Sequence, residues 1–129
     1  MSAPQRLRVR LDGDIYTVII HRQHWLPRWL RTDGTSVGLS IFCRTATPSL
    51  TLIGHELVHA LHFVRIWQRT PLRMYTLAVL VDLALYGWEW IRSGFRYDEM
   101  AEEVRAYTQQ GEVAAGTHPD IRILWEDTP

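Results

Sequence analysis

Lysine is absent from this 129-residue sequence and cysteine nearly so: all 14 basic residues are arginine, and Cys43 stands alone. A single cysteine excludes an internal disulfide and a cysteine-based zinc site, so any metal must be held by histidine and carboxylate. A charge surplus is also missing, with 14 basic residues against 14 acidic ones. Binders that rely on attraction to phosphate normally carry a basic excess, so no nucleic-acid partner is expected. There is no internal repeat, low-complexity run or dividing linker. Residues Met1 to Arg10 hold no apolar stretch of the secretion-signal kind. No signal peptide is therefore expected, and a cytoplasmic location is the default.

What is present suits one folded domain. Hydrophobic residues make up 47% and charged residues 22%, a folded rather than a disordered composition. The length fits one domain with one core. Leu7, Val9 and Leu11 alternate with arginines, Asp12-Gly13-Asp14 marks a turn, and Ile15 to His21 is rich in β-formers, which predicts a hairpin. His24 to Leu30 allows a short helix, and Val37 to Arg44 reads as a third strand. Thr47-Pro48 supplies a helix start, with Thr47 as cap, and that helix runs to about Gln68. Thr70-Pro71 opens a second helix over about Leu72 to Arg92. Asp98 can cap a third over Glu99 to Gln110, closed by Gly111. Ile121 to Trp125 reads as a last short strand. Strands precede helices, so the expected class is α+β: a three- to four-stranded twisted sheet packed on one long helix, with two further helices.

The first of these helices carries His55-Glu56-Leu57-Val58-His59, a complete HExxH. Composition alone gives about 0.015 chance matches in a chain of this make-up, so the motif carries weight. On a helix, positions i and i+4 share a face one turn apart, so two imidazoles can grip one ion from a rigid support. Zinc lowers the pKa of its bound water toward roughly 7, and Glu56 is placed to take that water's proton during attack on a carbonyl.

Two histidines and a water leave one ligand to find. His62, Glu89, Glu99, Glu102 and Glu103 are the candidates. With Met100, Val104 and Tyr107 taken as the apolar stripe of the third helix, about 100° per residue puts Glu103 beside that stripe and Glu102 on the solvent side. A carboxylate at a buried edge needs a partner. A metal is one; Arg65 or Arg96 is another. His62 is too close to His59 along one helix to ligate comfortably beside it.

With this motif and a later helical glutamate, the sequence resembles the zincin metallopeptidases of the gluzincin type. Glu103-Val104-Arg105-Ala106-Tyr107 looks like the E-x-x-A-x stretch that carries the glutamate ligand in small prokaryotic and phage members. The resemblance covers about residues 37 to 110. It implies a zincin-like domain, Zn2+ held by His55, His59 and Glu103, Glu56 as general base, and a peptide or protein substrate. It also implies that the strand before the active helix, Val37 to Arg44, pairs with extended substrate. Where several gluzincins place an aspartate four residues after the glutamate, this chain has Tyr107.

Other residues admit two readings each. Tyr107 is a catalytic candidate, with its hydroxyl directed at a developing oxyanion, or a core tyrosine. Asp82 is the only charge from Met74 to Tyr86; it either accepts from a ligand histidine or pairs with an arginine. Leu72 to Ile91 has the length of a membrane span, but Asp82 and Glu89 within it favour a buried central helix over membrane association. Cys43 is a metal-blocking residue or a small buried hydrophobe. His21, His24 and His118 show no ligand spacing. The expected function is zinc-dependent peptide hydrolysis. The alternative is a non-catalytic binding module that keeps the metal site for stability.

Overall fold

The computed structural model describes residues 4–30, 32–94 and 101–127. Among them it is α+β, with a five-stranded mixed sheet and four α-helices. Strands β1 (Gln5–Leu11) and β2 (Asp14–His21) form the expected hairpin. Asp12 and Gly13 turn the chain with positive φ, as tight β-hairpin turns require. In β1, Leu7, Val9 and Leu11 point into the core while Arg6, Arg8 and Arg10 point out. Helix α1 (Trp25–Leu30) is the short helix expected around Pro27.

The segment expected as one strand over Val37 to Arg44 is instead the turn and second arm of a hairpin. Strand β3 (Gly34–Val37) pairs antiparallel with β4 (Ser40–Cys43). Its turn sits at Gly38, where φ is +61° and a side chain would collide with the Tyr75 hydroxyl. Glycine enters that region without the Cβ penalty, but the β-forming residues on either side hide the break. Strand β4 pairs parallel with β2, and β5 (Ile121–Asp127) pairs antiparallel with β1. The order is β3-β4-β2-β1-β5, so β3 is an outer strand.

Helix α2 (Leu50–Arg69) starts two residues later than the Thr47-Pro48 signal suggests. Ser49 is the cap, its side chain accepting from the Leu52 N–H at 3.1 Å. Every residue from Ile53 to Leu61 is buried, so α2 is the central helix. Leu57, Leu61 and Val64 belong to one core cluster with Leu7, Val18, Ile20 and Ile41 of the sheet. Helix α4 (Ala101–Ala115) packs along α2 and runs through Gly111 to end at Gly116, which has positive φ. The capping role of Asp98 falls outside the described residues.

Helix α3 (Tyr75–Arg92) follows a single 3-10 turn at Pro71–Arg73. It is not the buried central helix expected: Ala78 is its only buried residue, and Leu80, Trp88 and Ile91 are each more than half exposed. Its apolar residues encircle the helix, but only the side toward α2 is covered. No described helix is long and apolar enough to cross a membrane.

Candidate metal centre

Three buried groups from two helices converge. His55 and His59 stand one turn apart on α2, and Glu103 is 1% exposed on α4. Both histidine Nε2 atoms lie 2.9 Å from the same oxygen, Glu103 Oε1. The three ligand atoms lie within 4.8 Å of one another, a group able to hold a metal ion. On the far side of the carboxylate, the Tyr86 hydroxyl donates to Oε2 at 2.6 Å.

The stripe that places Glu103 inside differs from the one expected. Val104 and Tyr107 are about half exposed, and the buried face of α4 is Glu103, Ala106 and Val113, with Gln110 in line. These positions follow the i, i+3, i+7 spacing of one helix face. Ala106 and Val113 are too small to announce that face in a sequence, while Val104 and Tyr107 announce the wrong one. Glu103 takes the inner position because it has polar partners there. Met100 lies outside the described residues.

His55 is held at both ring nitrogens. Nε2 meets Glu103, and Nδ1 lies 3.0 Å from Gln110 Oε1. A neutral imidazole has one N–H. With Gln110 oxygen accepting it, the other nitrogen turns a lone pair toward a carboxylate. Protonation of the ring or a cation at the shared oxygen resolves that conflict. Gln110 therefore supplies the support that the position of Tyr107 does not, and only its i+7 spacing from Glu103 hints at this in the sequence.

The charges respond to the setting. Burial alone would raise the Glu103 pKa, but hydrogen bonds from His55 and His59, the charge of His59 and the Tyr86 hydroxyl outweigh it and hold the carboxyl well below its usual range. Glu56, 3% exposed, moves the opposite way. Burial pushes its pKa up, His59 and His55 oppose this, Glu103 adds to it, and hydrogen bonding with Ser36 opposes it again. Glu56 thus has a raised proton affinity one residue along α2 from His55.

A cleft of about 1020 Å³ opens over this group. It is lined by His55, Glu56, His59, Glu103, Gln110 and Tyr107, by residues 34–37 of β3, by Leu26 of α1, and by Asp82, Leu83, Tyr86, Gly87 and Trp90 of α3. Tyr107 is not a core residue: it is 52% exposed, with its ring edge-on to His55 at 4.4 Å between centroids. Gly34 backs onto Glu56, and a Cβ there would sit 3.3 Å from Oε1.

The remaining candidates fall elsewhere. Asp82 lies 3.3 Å from His62 Nδ1, so the histidine it pairs with is neither His55 nor His59. Arg65 pairs with Asp120 at 3.0 Å and not with Glu103. Cys43 is wholly buried in the core; burial and the nearby Glu56 push its thiol pKa up to about 11, against a smaller pull from Arg22. His118 is engaged by Gln109 and the Asp120 N–H in a second, smaller cleft behind α2. Arg96 and Glu99 lie outside the described residues. The group able to hold a metal ion does not include His62 or Glu89. Comparison with protein-family models, curated proteins and solved structures finds no match.

Proposed function

We propose that this chain is a zinc-dependent metallopeptidase of the gluzincin type. The observation that carries the reading is the pairing of a buried His55–His59–Glu103 group with the adjacent carboxylate of Glu56 at one open cleft. A purely structural site has no use for a base beside it.

The donor set suits zinc. Two imidazoles and one carboxylate are a common catalytic zinc set, and ligand atoms around a tetrahedral zinc lie about 3.3 Å apart, close to the 2.9 Å separations here. The ion would supply Lewis acidity to a carbonyl oxygen and acidify a water. The chain's own residues do the rest. Glu56 accepts the proton as water oxygen bonds to the scissile carbon, then returns it to the leaving amine as the C–N bond breaks. Tyr107, beside His55 and facing the cleft, donates its hydroxyl to the oxyanion. The outer strand β3, which lines the cleft with residues 34–37, offers an edge to which an extended peptide can add. This moves the substrate-pairing role from the expected Val37 to Arg44 to Gly34–Val37.

The test has two arms. Metal content is measured for the wild type, Glu103→Ala and Glu102→Ala; loss only in Glu103→Ala supports the ligand set. A peptide library is then incubated with the zinc-loaded wild type and Glu56→Gln. Cleavage by the wild type alone supports the enzyme. Equal cleavage removes Glu56 as base, and a metal-loaded wild type that cleaves nothing leaves the metal-stabilised binding module.

A further inference from the structure

Helix α3 carries an apolar face that no other element covers among the described residues. Leu77, Leu80, Val81, Ala84, Trp88 and Ile91 recur at three- and four-residue spacing and so share one side of the helix. All six are exposed, with Leu80 at 59% and Trp88 at 57%. The helix's carboxylates, Asp82 and Glu89, lie off this side by about 110° or more at 100° per residue. Arg92 falls on it, one turn beyond Trp88. At the other end, the turn preceding α3 thrusts Leu72 almost wholly into solvent, at 94% exposure, between exposed Arg69 and Arg73. Helix α1, which reaches the same cleft through Leu26, exposes Trp25 and Trp29 around an exposed Arg28.

We infer that the outer face of α3 docks this protein on an anionic lipid bilayer, lying in the interface and not spanning it. Apolar side chains and tryptophan enter the headgroup–acyl boundary, while arginines at both ends meet anionic headgroups. The chemistry fits a lipid surface better than a second copy. A closely aligned pairing of α3 with itself, parallel or antiparallel, sets arginine ends against arginine ends, with no acid on the face to neutralise them. The strip from Leu77 to Ile91 is about 21 Å long and one helix wide. A bilayer sets no minimum interface area, because each buried apolar group contributes separately. Leu83, Tyr86 and Trp90 line the cleft from the other side of the same helix, so docking through the outer face of α3 sets the bilayer about one helix diameter from the cleft.

The experiment is vesicle co-sedimentation of the full chain with phosphatidylcholine alone and with equal parts phosphatidylcholine and phosphatidylglycerol. The wild type is expected to bind the anionic vesicles preferentially and to release them as salt rises. Leu80→Ser/Trp88→Ser should bind at least about tenfold more weakly, with unchanged circular dichroism and metal content. Arg73→Gln/Arg92→Gln, which leaves the apolar face intact, should lose about tenfold on anionic vesicles only. Glu56→Gln should bind as the wild type does, which keeps this test separate from that of peptidase activity. Failure to bind either vesicle, equal binding to both, or undiminished binding by both double variants overturns the inference. A sedimentation-equilibrium dimer dissolved by Leu80→Ser/Trp88→Ser overturns it too, by assigning the face to a second copy.

Discussion

Gln110 Oε1 lies 3.0 Å from His55 Nδ1, seven residues beyond Glu103 on the same face of α4. One helix thus presents a carboxylate to the inner nitrogen of a histidine and an amide to its outer one. The amide oxygen fixes the tautomer that leaves Nε2 free to ligate. Gln110→Ala is expected to lower metal affinity by about 10–100-fold, the usual effect of removing such a partner. Competition with a chromophoric chelator measures it. Gln110→Glu should retain affinity, because a carboxylate accepts the same N–H; equal loss in both variants would show that Gln110 only packs.

Glu56 and Glu103 respond oppositely to pH in the metal-free protein. The folded pKa of Glu56 is raised above the usual 4.5. Between those two values the native state binds more protons than the unfolded chain, so stability declines with rising pH and then levels off. Glu56→Gln should therefore raise Tm at neutral pH in the presence of chelator, with the gain vanishing below about pH 4.5. For Glu103 the folded pKa is depressed. Its stabilisation is present above the usual carboxylate pKa and is lost as pH falls through the folded one, so Glu103→Gln should lower Tm at neutral pH. Scanning calorimetry across pH checks both signs, and a Glu56→Gln protein less stable than wild type at neutral pH would contradict the first.

Tyr107 and Tyr86 both face the cleft but have different work. Tyr86 donates to Glu103, whereas Tyr107 lies edge-on to His55 and half exposed. If peptide hydrolysis proceeds as proposed, Tyr107→Phe should lower kcat by about 10²–10³-fold, the range for removing one oxyanion donor, with metal content unchanged. A Tyr107→Phe enzyme with wild-type kcat would remove the hydroxyl from the reaction.

How far the sequence reaches depends on whether a signal is local. The β1–β2 hairpin follows from alternation around Asp12-Gly13, and the placement of His55, Glu56 and His59 follows from helical spacing; both need only neighbours in the chain. The burial of Glu103 was also legible, although through a stripe that the structure rotates: Val104 and Tyr107 face outward. The β3–β4 turn was hidden because one glycine among β-formers does not declare its φ. The exposure of α3 was not legible at all. Leu77 and Leu80 would look the same in a covered helix, since hydropathy states what a side chain prefers and not whether another element reaches it. Gln110 and Tyr86 acquire roles only through contacts with other helices, which no window of sequence contains.

Gly54 sets the distance between the helices that carry His55, His59 and Glu103. A Cβ there would lie 2.9 Å from the backbone oxygen of Gln110 and 3.2 Å from Val113 Cβ. The first contact is with backbone, which cannot swing aside as a flexible side chain could. Gly54→Ala must therefore push α4 away from α2 at the level of His55, even though alanine is the better helix former by about 1 kcal/mol. Overpacking at such a contact costs about 1–3 kcal/mol. The balance is expected to be a modest loss of stability with a disproportionate loss of metal affinity, because Glu103 and Gln110 move with α4 while His55 and His59 stay on α2. Denaturant unfolding and chelator competition on the same preparation separate the two effects. Gly111→Ala, in α4 where a Cβ meets nothing within 4 Å, serves as the control and should leave metal affinity unchanged. Wild-type metal affinity in Gly54→Ala would mean that the helix spacing does not govern the centre.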